Sequence, residues 1–170
     1  MSSKKGSKWE RDVAKFLTKW LTGVEKPYCF WRSPGSGSVS TIIKENEHIS
    51  GDIISLKPEA KFFTDVFSIE LKTGYPDTSF FHYFSCKNFQ IENFWSQCVK
   101  DAGNKNPLLV YKKDRNTPIV GITKIVANKL KLNKLKHITV KFDKLPDLVL
   151  LSFYDFFNKV KPEDIKKWPV

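Results

Sequence analysis

The chain has 170 residues and a mass of 19.7 kDa, room for one domain with its own core and a small extension. Hydrophobic residues at 41%, charged residues at 28% and only 8 Gly and 9 Pro exclude collagen-like, disordered and disulfide-scaffold classes. The formal net charge of +11 favours a polyanionic partner.

That charge is uneven. Residues 1 to 99 hold 13 bases and 11 acids, net +2, whereas residues 100 to 170 hold 16 bases and 7 acids, net +9. A nucleic-acid backbone matches the second half. No apolar run has the length of a membrane span and the lysines at the N-terminus precede no apolar leader, so an intracellular protein with no membrane partner is expected. Cys29, Cys86 and Cys98 are odd in number and lack a C-x-x-C pair, which argues for reduced thiols.

In chain order, residues 6 to 21 form an amphipathic helix. Trp9, Val13, Ala14, Phe16, Leu17, Trp20 and Leu21 fall on one arc, with Lys8, Arg11, Asp12, Lys15, Thr18 and Lys19 opposite. Glu10 breaks the pattern by projecting within the apolar arc, where a carboxylate needs a cationic partner or a site to line. Residues 28 to 32 make a short strand, and residues 33 to 38 are a turn-rich loop whose small side chains would let backbone N–H groups approach an anion. Residues 49 to 56 and 65 to 72 have strand character and are expected to pair as a hairpin. On the second strand, period-two geometry puts Glu70 and Lys72 on one face and Ile69 and Leu71 on the other.

Residues 73 to 88 lapse into an aromatic-rich loop containing Phe80-Phe-His-Tyr-Phe84. A second amphipathic helix spans 89 to 102, with Gln97 at the margin of its apolar arc, and two strands at 108 to 111 and 119 to 122 follow across a polar turn. Residues 124 to 144 carry seven lysines and one acid, Asp143, in a partly helical stretch that ends in a strand near 137 to 142. A strand at 148 to 151 and a short helix at 152 to 160 complete the pattern. His48, His82 and His137 have no metal-ligand spacing and are read as structural or exposed.

Glu10, Asp52 and Glu70 beside Lys72 each break a local rule. Taken together they suit a magnesium site, since Mg²⁺ takes hard oxygen ligands and a neighbouring ammonium can orient a nucleophile and share phosphate charge. Gly6-x-x-x-Glu10, Gly51-Asp52-Ile53 and Glu70-x-Lys72, in helix, strand and strand, resemble the PD-(D/E)XK nuclease superfamily. Lys5-Gly6-Ser7, Gly35-Ser-Gly-Ser38 and Asn106-Pro-Leu-Leu-Val-Tyr111 are similar to the archaeal-type Holliday junction resolvases and their phage relatives. Gly51 departs from the family's usual proline.

The resemblance covers roughly residues 4 to 122. It implies an α/β (α+β) restriction-endonuclease-like core, a central mixed β-sheet flanked by helices, followed at 123 to 170 by a basic extension packed on the same domain. It implies Mg²⁺- or Mn²⁺-dependent hydrolysis of DNA, with Glu10, Asp52 and Glu70 as metal ligands and Lys72 as the catalytic lysine. DNA contacts are expected from Lys5, Arg32, Ser36, Ser38 and Gln97, and from Lys124, Lys129, Lys131 and Lys134 in the basic stretch. Junction resolution would call for a homodimer, because a four-way junction takes two symmetric cuts. Two alternatives stay open: a restriction-like or nicking endonuclease of a phage or mobile element, and a catalytically silent nucleic-acid-binding module.

Overall fold

The computed structural model describes residues 3–33, 51–74, 82–85 and 89–168. Helix α1 (Ser3–Thr22) leads into β1 (Phe30–Arg32), which pairs antiparallel with β2 (Ile53–Ser55) as a two-stranded ribbon. A 3₁₀ turn (Pro58–Ala60), α2 (Lys61–Val66), β3 (Phe67–Gly74) and the single turn α3 (His82–Ser85) follow. Next come α4 (Gln90–Ala102), β4 (Asn106–Lys113), β5 (Ile119–Thr123) and α5 (Lys124–Lys129). The chain closes with β6 (His137–Val140), β7 (Leu148–Ser152), α6 (Phe153–Lys159) and α7 (Pro162–Lys166).

Five strands form the central sheet in the order β3-β4-β5-β7-β6, with β3 and β4 parallel and the other neighbours antiparallel. It is a mixed sheet flanked by helices, as the restriction-endonuclease-like expectation required. β3 lies at one edge and β6 at the other. Two of the five strands come from beyond residue 122, because Leu148–Ser152 and His137–Val140 extend the sheet past β5.

Alternation along the strands divides the core in two. Ile69, Leu71, Leu108, Val110, Val120, Ile122, Val149 and Leu151 face α1, α2, α5 and α6, while Leu109, Tyr111, Leu148 and Leu150 face α4. Aromatic rings fill the first layer: Phe16 meets Phe153 at 4.6 Å between centroids and Phe157 at 5.2 Å, and Trp20 meets Phe63 at 5.3 Å. Among the described residues no helix is long and apolar enough to cross a membrane.

Three expectations are corrected. Residues 49 to 56 and 65 to 72 do not make a hairpin: β2 pairs with β1, β3 belongs to the large sheet, and the 3₁₀ turn and α2 lie between them. Ala60, Phe63 and Val66 are buried from that connection, which packs as helix against the core. Thr18 is not on the solvent face of α1 but fully buried, 0% exposed. Its hydroxyl donates to the Ala14 carbonyl at 2.9 Å and accepts from the N–H groups of Cys29 at 3.2 Å and Phe30 at 3.3 Å, holding the start of β1 against the helix. In the aromatic segment, residues 82 to 85 form a helical turn, and the Tyr83 hydroxyl donates to the Lys141 carbonyl at 2.8 Å.

Candidate active site

The candidate site is built at β3, an edge strand of the central sheet among the described residues. Gly51 has φ of +88°, and a Cβ there would stand 2.7 Å from both the N and the O of Ile69. Only glycine combines that backbone angle with so close an approach. The next residue is thereby laid along the strand: the Asp52 N–H donates to the Ile69 carbonyl at 2.7 Å, and the Asp52 carboxylate Oδ2 accepts from the Leu71 N–H at 2.8 Å. Asp52 lies in the bend just before β2, not inside a strand as its neighbours suggested. Its carbonyl accepts from the Ser33 N–H at 2.7 Å, tying the end of β1 to the same point.

Glu70 and Lys72 point to the α4 side of β3, two residues apart, as period two requires. Glu70 is 7% exposed. The Lys72 Nζ stands 2.6 Å from Glu70 Oε1, donates to Gln97 Oε1 of α4 at 2.8 Å, and lies 5.8 Å from the centre of the Phe94 ring. Desolvation pushes the Glu70 carboxyl above its ordinary range, with the Asp52 charge adding to it and the Lys72 hydrogen bond opposing. Asp52 is also raised, first by burial, against the pull of the Leu71 N–H and with a further push from Glu10. Beneath them the buried Cys98 thiol is pushed far up by desolvation and the nearby Glu70 charge, so it stays protonated.

Glu10 finds the cationic partner its position on α1 demanded. Arg32 Nε of β1 stands 3.3 Å from Glu10 Oε2, yet that oxygen is buried and accepts no hydrogen bond among the described residues. Arg32, expected to contact DNA, is therefore engaged with an acid of the site. Lys5 lies in the first turn of α1 with its side chain outside the described part, and Ser36 and Ser38 lie outside the described residues altogether.

The acids were expected to share one metal, and the donor chemistry fits a hard divalent cation. Asp52 and Glu70 are carboxylates raised by burial and by like charge, and Glu10 offers a buried oxygen without a hydrogen bond. Among the described residues, however, no three Asp, Glu, His or Cys side chains are gathered closely enough to hold a metal ion. Their oxygens have other partners: Glu70 Oε1 is turned to Lys72, Asp52 Oδ2 to the Leu71 N–H and Glu10 Oε2 toward Arg32.

Lys124, Lys129, Lys131 and Lys134 are exposed but not gathered at this site. By register Lys72 is level with Tyr111, Ile119 and Ser152, whereas α5 leaves the sheet after Thr123, paired with Leu148 at the opposite end of the strands. Val126, Ala127 and Leu132 pack into the layer facing α1, away from the face that carries Lys72. Asp101 is the acid that the sequence reading missed. Its charge bears on Asp52, Glu70 and Cys98, and its spacing of four residues from Gln97, one helical turn along the same face of α4, was the available signal.

The family model described as "Phage putative PDDEXK endonuclease" matches residues 1–167. The chain belongs to that family. This phage PD-(D/E)XK endonuclease family is the superfamily to which the helix acid, Gly51-Asp52 and Glu70-x-Lys72 pointed, and the match runs through β6, β7 and the C-terminal helices as well. No curated protein and no solved structure matches the chain.

Proposed function

We propose that this PD-(D/E)XK family member is a Mg²⁺-dependent endonuclease that hydrolyses DNA phosphodiesters, acting on Holliday junctions or other branched DNA. The observation that carries the reading is the juxtaposition on one strand edge of Asp52, Glu70 and a Lys72 ammonium fixed by two acceptors. Asp52 and Glu70, with Glu10 beside them, would hold Mg²⁺ or Mn²⁺. A bound divalent ion supplies Lewis acidity toward a phosphate oxygen and lowers the pKa of water.

The remaining work falls to the chain's own side chains. Gln97 and Glu70 hold the Lys72 Nζ from two sides, so its third N–H can donate a hydrogen bond to a phosphate oxygen or to the attacking water. Burial makes Asp52 and Glu70 poor solitary anions and therefore good hosts for positive charge. A restriction-like or nicking endonuclease of a phage keeps the same site and changes only the substrate, and the family description, a phage endonuclease, fits that second reading at least as well.

The test is cleavage of a labelled four-way junction against a linear duplex of the same arm sequence, in Mg²⁺ and in EDTA. Cutting is expected in Mg²⁺ only, with Asp52→Asn and Lys72→Ala slower by at least about 100-fold. Paired symmetric cuts confined to the junction mean resolution, and equal cutting of the duplex means the restriction-like enzyme. No cutting of either substrate would overturn the nuclease reading and leave a nucleic-acid-binding module.

A further inference from the structure

The edge of the sheet opposite the carboxylates carries an aromatic turn set in a field of lysines, and neither belongs to the chemistry of the site. Phe84 is 85% exposed, the most exposed of the large apolar side chains among the described residues, and Tyr83 beside it is 39% exposed. The turn is anchored. Tyr83 packs edge-on against Phe89 at 5.5 Å and Phe142 at 6.5 Å between centroids, and its hydroxyl is bonded to the Lys141 carbonyl just past β6. Tyr83 and Phe84 stand edge to face at 5.1 Å, which sets the exposed Phe84 ring beside the anchored Tyr83.

β6 is four strand spacings from β3, about 19 Å across the sheet. Ile138 is half exposed and shares the face of the buried Val140, the same face that α4 and Phe89 cover. Lys136, Lys141 and Lys144 around it are exposed, and Asp143 is the one acid between residues 124 and 144. An exposed aromatic ring next to an anchored tyrosine, with exposed lysines in the adjoining β6 segment, has the chemistry of a stacking platform for unpaired bases, the rings taking base faces and the lysines the phosphates. A second copy docking through the same patch would bring the same positive charge against it.

We infer that the β6 edge, through Phe84, Tyr83, Ile138, Lys141 and Lys144, binds a single-stranded DNA segment apart from the strand held at Asp52 and Glu70. The choice of DNA rests on the nuclease reading, but the binding does not need cleavage. It gives the enzyme a class of substrate, DNA in which a duplex adjoins unpaired nucleotides.

The test is fluorescence anisotropy of a labelled oligothymidine of roughly 16 nucleotides, in EDTA, against a duplex of the same length. Wild type is expected to bind the single strand, Phe84→Ala to lose about 5- to 150-fold in affinity for it with little change on duplex, and Phe84→Trp to restore it. Lys141→Ala with Lys144→Ala should lower the salt slope of single-strand binding by about 0.7 for each phosphate no longer neutralised. Circular dichroism melting checks that these surface variants keep their fold. Unchanged single-strand affinity in Phe84→Ala, or equal losses on single strand and duplex, would overturn the inference. So would a shift from dimer to monomer in Phe84→Ala with oligothymidine binding intact, which would give the patch to a second copy. A chain that binds in this way but never cuts would sink the nuclease reading and leave this one standing.

Discussion

Asp52 shows how a side chain can be stabilised by one neighbour and still work against the fold. It accepts the Leu71 N–H, yet desolvation and the Glu10 charge outweigh that bond and its pKa is raised. For an acid raised in the folded state, the native chain binds more protons than the unfolded one between the ordinary carboxylate value and the raised one, so stability falls as pH rises through that window. Glu70 adds to the same slope. Asp52→Asn keeps an oxygen for the Leu71 N–H while removing the charge. It should melt higher than wild type at neutral pH, by about 2–4 °C for each kcal/mol recovered, with the gap closing as the pH drops to where Asp52 protonates. Melting curves across that range check this, and a variant that melts lower than wild type at neutral pH would show that the charge stabilises the fold.

At the scale of elements, Gly51 and Thr18 do the joining that the strands cannot do for themselves. β1 and β2 are only three residues each; the Asp52–Ile69 hydrogen bond ties them to the large sheet and the Thr18 hydroxyl ties β1 to α1. Gly51→Ala would need both a positive φ and a Cβ within 2.7 Å of the Ile69 backbone. It is expected to destabilise by more than the ~1–3 kcal/mol of backbone strain alone, a loss that chemical denaturation measures directly. Strong periodicity made α1, α4, β4, β5 and β7 legible from sequence, as were the facing directions of Glu70 and Lys72. What escaped was set by packing from afar: Thr18 looks polar until β1 lies across it, β2 looks like the partner of β3 until β1 takes it, and α2 is too short for a period to declare itself. The site followed the same division, with Glu10, Asp52, Glu70 and Lys72 marked by local rule-breaking, while the Arg32 partnership of Glu10 and the influence of Asp101 arise only in the folded chain.

Across the whole molecule, charge and chemistry are kept apart. The acids and Lys72 occupy the β3 edge, and the lysines of residues 124 to 144 gather around α5 and the β6 edge. Lys129 also has a packing duty, with Nζ 3.8 Å from the centre of the Trp168 ring, so Lys124, Lys131 and Lys134 are the better reporters of long-range attraction. Replacing those three with alanine should leave cleavage of a short duplex nearly unchanged, while weakening binding to long DNA and lowering its salt slope by up to about 0.9 for each phosphate left without its lysine. Titrations at several salt concentrations on short and long DNA separate the two, and equal effects on both would bring these lysines back to the cutting site.

The edge of β3 carries one further implication. A bare edge strand invites pairing with other chains, and here the Gly51–Asp52 segment stops that edge, the Asp52 carboxylate capping an N–H that would otherwise wait for a neighbouring strand. Asp52 thus has a structural duty at the sheet edge beside its place in the candidate site, a duty that needs its oxygen and not its charge. Glu70 and Lys72 cap nothing. Within this chain, the ammonium–carboxylate pair on the α4 face is therefore the part of the site that sealing the sheet edge does not require.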